Sequence, residues 1–446
     1  MSKTFALSAL LVAALSSAAA AQDARTVIED ASRAMGTAGL NAITYSGLAA
    51  VANFGQSRTI SFGLASTTIR NYTRTIDFTQ PASRVTGFAA PPAVQGGPPP
   101  GEFEQIIAPG DTGAQQLDIW ITPWGFLRGA AASAATVKSQ KIEGTTYKVV
   151  TWMPAQKAPS GQPYRLVGYI NPQNLVERVE TWAEHPVLGD LHIDTTYSNY
   201  LDAGGLKIPG RIAQRRVGME VFVAAISVAR ANPPDLAQLL APSSRPGGGT
   251  TPAPPVVTSE QLAEGVYRIA GGYTALAVEL RDYAVVLGGG GHEVHGQAIL
   301  AEAKRLMPKK PLKYVVNTHP HFDHAAVLPA FAAEGVTILT DDPNRYFLER
   351  ALGSPRTLVG DALAKSRRKP KVEGVVDKLV LGDATRSIEL HHLPKFEHSD
   401  GMLVAYLPKE KILFTADVDE RAPALSALQM SVERHIMVRP PNQSGQ

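Results

Sequence analysis

Cysteine is absent from all 446 residues. That removes disulfides, thiol nucleophiles and thiolate metal sites together, so any metal ion held by this chain has to sit on histidine and carboxylate. A strong charge of either sign is absent too, since 43 basic and 40 acidic residues leave a formal charge of +3. So thin an excess gives no reason to expect nucleic acid or an acidic membrane surface as a partner. Beyond the N-terminus no apolar run reaches the roughly 18 residues that cross a bilayer. Histidine is scarce in the first half, because of eleven in the chain only His185 and His192 precede residue 290.

What is present starts with three parts in order. Met1-Ser2-Lys3 is basic, Phe5 to Leu15 is apolar, and Ala19-x-Ala21 supplies small residues before Gln22. The pattern is that of a secretory signal peptide over 1–21, and a cysteine-free chain suits an oxidising periplasm. The expectation is an exported, periplasmic protein without stable membrane insertion once this leader is cleaved. With 44% apolar and 19% charged residues, the length allows two or three globular domains. "SSRPGGGTTPAPPVV", residues 243–257, is rich in proline and glycine and without periodicity, which predicts an interdomain linker between 22–242 and 258–446.

The N-terminal half opens with a predicted helix, Ala24 to Met35. Then come "ITYSGLAAV", "RTIDF", "QLDIWIT", "YKVVTWM", "YRLVGYI", "LVERVETWA", "LHIDTTYSNY" and "RIAQRRV". Their period-two alternation predicts a mainly antiparallel β domain, with "QGGPPPGE" as a loop. Trp120, Trp124, Trp152 and Trp182 all fall here and are read as core and sheet-face residues, a ligand groove being the alternative. The second half alternates. "YRIA", "ALAVEL" and "YAVVLG" lead to a helix near Glu293 to Leu306, then strand "LKYVVNT", helix Ala325 to Ala333, strand "VTILT", a helix near Tyr346 to Leu352, and strands "SIELHHL", "MLVAYL" and "KILFTA". This order predicts an α/β sandwich.

One stretch carries chemistry. "YVVNTHPHFDHAAVLPAF", residues 314–331, runs from a strand into three histidines and an aspartate. In extended chain His319 and His321 point to the same side, so both imidazoles can reach one ion. Asp323 and His324 are offset from them as the chain turns into a helix, and could hold a second ion. A further ligand is needed from His292, His295, His391, His392, His398 or His435. His398 has the best setting, in a loop just before a strand with Ser399 and Asp400 able to orient it. Asp417 ends the strand "KILFTA", where a carboxylate could bridge two ions.

The combination resembles the metallo-β-lactamase-fold hydrolase superfamily. "THPHFDH" matches its H-x-H-x-D-H signature, "EHSDG" its third-histidine loop, and "ILFTAD" its strand-then-aspartate element, over roughly residues 258–420. The wording around these motifs resembles exported members with an extra N-terminal β-rich domain, and that half is loosely similar to a lipoprotein-carrier half-barrel. The resemblance implies an α/β, four-layer αββα sandwich. It implies Zn2+ held by His319, His321 and His398, one ion firmly expected, with a second possible on Asp323, His324 and Asp417. It implies hydrolysis of an ester, lactone, amide or similar bond of a small-molecule substrate by a zinc-activated water, with Asp323 catalytic.

Three departures bear on this. The family's late histidine in a Gly-His-Gly-like loop has no counterpart among the 29 residues after Asp417: His435 precedes the apolar "IMV" and reads as a surface histidine, while Arg439 lies nearer the expected place. The expectation is a truncated or altered C-terminus and a weak second site. "VVLGGGG" supplies glycine where the family often has aspartate. True β-lactamases of this fold commonly have Cys or Ser where Asp417 stands, which disfavours antibiotic hydrolysis. Other readings kept open are a non-catalytic periplasmic binding protein with a vestigial metal site and a β-lactamase. "GHEVHG" is one residue too short for H-E-x-x-H and reads as a helix start; the glycine run does not fit G-x-G-x-x-G; "KSRRKPK", 365–371, reads as a solvated loop.

Overall fold

A computed structural model describes residues 23–60, 64–92, 99–111, 113–243, 255–394, 396–419 and 421–438. The signal-peptide reading, most of the linker, most of the loop near residue 100 and Arg439 lie outside them. The chain forms two compact units. The first takes in the chain up to Asn53, Leu64–Glu184 and Leu191–Gly249, and the second takes in Phe54–Gly63, His185–Asp190 and the chain from Thr250. Two short stretches of the N-terminal half therefore group with the second unit. Among the described residues no helix is long and apolar enough to cross a membrane.

The first unit is a helix over 23–35 and an eleven-stranded antiparallel sheet. Successive strands are neighbours except the fourth and fifth, and the first, Ala42–Ala52, pairs with the last, Met219–Ala231. The sheet edges are Gly101–Ile107 and Thr136–Ile142, consecutive in the chain. Between them lie helices Leu117–Trp120 and Pro123–Ala131. The reading of "QLDIWIT" as a strand is thus wrong. Thr122 is an N-cap whose Oγ1 accepts from Gly125 N at 3.2 Å, and Pro123 takes the first helical position, where its fixed φ and missing N–H cost nothing. Trp124 and Trp152 are buried, as core tryptophans should be.

The second unit is the predicted sandwich. A seven-stranded sheet runs in chain order from Thr258–Ala263 to Val372–Val375, antiparallel over its first four strands and parallel from Ala284–Gly288 onward. A five-stranded sheet follows, from Lys378–Gly382 to Arg434–Val438. The inner strands, such as Ala284–Gly288 and Leu403–Leu407, are buried along their whole length, as strands covered on both faces must be. Leu276, Leu287, Val316, Leu390, Leu403 and Phe414 belong to the core between the sheets. Helix Glu293–Leu306 forms where expected, Leu328–Glu334 ends on Gly335 at φ 82°, and Asp342–Leu352 completes that helical layer. The predicted helix Ala325 to Ala333 is instead two pieces, Phe322–Ala325 and Leu328–Glu334, because Pro329 cannot donate to the preceding turn. On the outer face of the other sheet, the single turn Pro423–Ser426 contributes Leu425 to a cluster with Met402, Val404 and Leu413.

Candidate metal centre

The sandwich topology brings three loops to one edge. Strand Leu312–Val316 ends and the chain passes through Asn317 and Thr318 into the histidines. Strand Ile412–Ala416 ends at Asp417. Strand Leu403–Leu407 is antiparallel to that one, so the loop preceding it, which carries His398, returns to the same edge. Leu403 N donates to Thr318 O at 2.7 Å and ties the first loop to the third.

The sequence motif is a spatial cluster. The donor atoms of His319, His321 and His398 lie within 4.8 Å of one another, as do those of His319, His324 and Asp417. His319 Nε2 is 3.3 Å from His398 Nε2, and His398 Nε2 is 3.4 Å from Asp417 Oδ2. Two ligands on a tetrahedral zinc with bonds of about 2.0–2.1 Å stand ~3.3–3.4 Å apart. Asp417 Oδ2 is also 3.6 Å from His319 Nε2 and 2.9 Å from His324 Nε2, a central position consistent with a shared carboxylate. His324 Nε2 has no aligned hydrogen-bond partner despite that short approach.

Burial makes the cluster costly without a cation. His319, His321 and His324 are 0%, 3% and 2% exposed. His321 Nδ1 and both ring nitrogens of His324 are buried without hydrogen bonds, and each such group costs about 1–3 kcal/mol. Burial, then the neighbouring histidines His324, His321 and His398, push His319 far down from its ordinary value. Burial and His398 lower His321 to about 4, against a smaller opposing effect of the Ser57 carbonyl. Both rings are therefore neutral at physiological pH and keep lone pairs for a metal. For Asp417 burial alone would raise the carboxyl, but the neighbouring imidazoles of His324 and His398 outweigh it and hold it well below the carboxylate range. Donor set, spacing and orphaned nitrogens fit a divalent metal such as zinc. Asp417 itself sits at φ 55°, a left-handed conformation costly for most residues and best tolerated by Gly, Asn and Asp.

Asp323 lies beside the second cluster, with Oδ2 3.4 Å from His324 Nε2. Tyr273 OH donates to Oδ2 at 3.0 Å and Gln56 Nε2 to Oδ1 at 2.6 Å. Burial and Asp323 together raise the Tyr273 phenol, so it stays protonated and a donor. Its ring meets His324 edge-on at 5.6 Å. A Cβ at Gly290 would come within 2.1 Å of the Tyr273 ring. Tyr273, Gln56 and Ser57 were not found by sequence reasoning. No motif marks them, and their contacts close loops of fifty residues or more.

The remaining histidines are engaged elsewhere. His435 lies in strand Arg434–Val438, opposite Leu413, and is not the surface histidine expected. Its Nε2 is 2.7 Å from Thr415 Oγ1, which itself donates to Val418 O; the hydroxyl therefore accepts, and Nε2 carries the proton. His391 pairs with Glu389 and His392 with Asp341. His295 Nδ1 accepts from His292 N at 3.4 Å at the start of its helix, a capping role. Ser399 and Asp400 do not orient His398 as expected: Ser399 Oγ is buried without a partner, and Asp400 accepts from Arg58 Nε at 2.8 Å. Lys365, Arg367, Arg368, Lys369 and Lys371 are exposed, as a solvated basic loop should be.

Comparison with known proteins matches residues 269–428 to the model of the metallo-beta-lactamase superfamily. Solved structures with a similar fold include a metallo-beta-lactamase from Pontibacter korlensis, 20% identical over 42% of this chain and 92% of that one, TM-score 0.33. Another is a metallo-beta-lactamase from Erythrobacter litoralis, 15% identical over 41% of this chain and 90% of that one, TM-score 0.29. A flavo di-iron protein mutant from Thermotoga maritima is 15% identical over 39% of this chain and 48% of that one, TM-score 0.29. Among curated proteins none matches. The α/β sandwich that carries the histidine cluster is a metallo-beta-lactamase superfamily domain.

Proposed function

We propose that this domain is a zinc-dependent hydrolase acting on an ester, lactone, amide or similar bond of a small-molecule substrate. The observation that carries the reading is the pair of ligand clusters, His319 with His321 and His398 and His319 with His324 and Asp417, with buried ring nitrogens left unpaired. His319, His321 and His398 would hold the first ion, which is the one firmly expected. Asp417, His324 and Asp323 surround the position of a second. When bound, zinc supplies Lewis acidity and brings a water to a pKa of about 7.

The chain's own residues supply the rest. Asp323 is placed to accept a proton: two of its roughly four lone-pair positions are taken, by Gln56 and Tyr273, and the others remain available. Tyr273 and Gln56 keep that carboxylate oriented. Asp417 joins the two clusters and stays ionised. The absence of cysteine and the N-terminal pattern support an exported, periplasmic protein.

The test uses the purified full-length chain. Zinc content is measured directly, and turnover of a panel of esters, lactones and amides is followed before and after chelation. Bound zinc with chelator-sensitive hydrolysis is the expected result. Absence of bound zinc would sink the reading. Zinc bound without turnover of any panel member would favour a binding protein, and nitrocefin turnover a β-lactamase.

A further inference from the structure

Five consecutive residues far upstream of the superfamily match lie against the metal loops within the same compact unit. Gly55 O accepts from Phe322 N at 2.9 Å. Gln56 Nε2 donates to Asp323 Oδ1 at 2.6 Å. Ser57 O is 3.0 Å from His321 Nε2. Arg58 Nε donates to Asp400 Oδ1 at 2.8 Å, and Asp400 N donates to Arg58 O at 2.8 Å. Phe54 packs edge-on against Phe322 at 5.3 Å. The fit is close at Gly55, where φ is +89° and a Cβ would fall 2.0 Å from the Phe322 ring.

Two of these contacts act on atoms the metal centre uses. A carbonyl only accepts, so Ser57 O requires a proton on His321 Nε2. The proton is then absent from Nδ1 of the neutral ring, and Nδ1 is the buried nitrogen without a partner. Fixing a ligand's tautomer through its other nitrogen is a recurrent outer-shell device in metal sites. Gln56 does the corresponding work for Asp323, since its amide donates to Oδ1 at 2.6 Å while Tyr273 holds Oδ2.

We propose that residues 55–58 are the outer sphere of the metal centre: the Ser57 carbonyl selects Nδ1 as the ligand atom of His321, and the Gln56 amide is a positioning group for Asp323. The inference rests on the metal-centre reading for its effect on zinc, but its tautomer claim stands on this chain alone. A site read from residues 269–428 would thus be missing two of its supports.

The full-length chain tests this with three forms: wild type, Gly55→Ala, which displaces the segment, and Gln56→Met, which keeps side-chain length and removes the donor. Histidine 15N–1H correlation of the metal-free protein reports the tautomer, and chelator competition reports zinc affinity. In wild type His321 is expected to carry its proton on Nε2. In Gly55→Ala that signature is lost and zinc affinity falls about ten- to a hundredfold, the range usual for outer-shell partners. Gln56→Met keeps the tautomer and changes the visible absorption of the cobalt-loaded protein, which a packing role alone would leave as in wild type. Gln56 is exposed, so this variant retains its fold and carries the test if Gly55→Ala does not. A proton on Nδ1 of His321 in wild type overturns the proposal, as do unchanged zinc affinity and cobalt absorption in both variants. A wild-type protein that binds no zinc overturns the metal-centre reading, and the tautomer signal still decides whether Ser57 sets the His321 ring.

Discussion

The two units distribute buried polar groups differently: among the described residues the first leaves Gln116 Oε1, Trp120 Nε1 and Trp152 Nε1 unpaired, whereas in the second most such atoms gather at the metal loops. In the eleven-stranded sheet the half-buried Arg74 donates from Nε to Ser83 Oγ at 3.0 Å and from Nη2 to the Asp118 carbonyl at 2.9 Å. Trp124 Nε1 donates to Lys207 O at 3.1 Å, and Tyr164 OH to Glu184 Oε2 at 2.6 Å. In the sandwich several unpaired groups crowd one edge: Asn317 Nδ2, His321 Nδ1, both nitrogens of His324 and Ser399 Oγ. Burial of polar atoms with partners stabilises a unique packing, whereas burial without them destabilises the fold unless something outside the chain completes the set. The difference separates an interior in which most polar contacts are made by the chain from an edge where unpaired nitrogens gather around one set of ligand atoms.

The sharpest way to break this comparison is at the open edge. His319→Ala removes a nitrogen belonging to both ligand clusters, so zinc binding and hydrolysis should fall together, kcat/KM by about a thousandfold, or several kcal/mol of transition-state stabilisation. Retained activity with zinc lost would refute the assignment. The closed interior should respond in stability alone. Arg74→Met keeps volume but strands the Asp118 carbonyl and Ser83 hydroxyl, costing about 2–4 kcal/mol in chemical denaturation, with zinc stoichiometry unchanged.

Acid probes the open edge again. His321 is held neutral when folded, with its pKa lowered from 6.5 to about 4, so the unfolded chain binds more protons in that window. Metal-free stability is therefore present above pH 6.5 and is lost as pH falls through the window toward 4. Denaturation midpoints against pH should show a slope that His321→Gln flattens. The smallest effect is expected at His435→Gln, about 1 kcal/mol in stability from its bond to Thr415, with zinc content as in wild type. A loss of zinc there would restore His435 as a ligand.

The parts of the site legible in the sequence are those in which distance along the chain is short. His319, His321, Asp323 and His324 lie within one strand-to-helix turn, so period and spacing suffice to bring them together. His398 and Asp417 were found because each sits at the end of a strand whose neighbours are also readable. Gln56 and Ser57 were not, since 267 and 264 residues separate them from their partners and a glutamine side chain or a backbone carbonyl has no signature. Local pattern also misled once. Alternation in "QLDIWIT" imitates a strand, and the helical turn Leu117–Trp120 that forms there starts at Gln116 with no side-chain cap to mark it. His435 was misplaced because its strand, Arg434–Val438, is half-buried and mixed in polarity, so it reads as surface until pairing with Ile412–Ala416 is known.

The left-handed backbone of Asp417 narrows the substitutions this position can accept. A β-branched or bulky replacement meets a conformational cost of about 1–2 kcal/mol before any chemistry is considered. Glycine and asparagine satisfy the backbone but bring no charge to His324 and His398. Of cysteine and serine, the residues that would move the site toward other members of its superfamily, both meet the conformational penalty, serine also forfeits the anion, and cysteine keeps one only as the thiolate. Drift at residue 417 is therefore confined by two independent filters, and a change of activity here would need a neighbouring backbone change to come first.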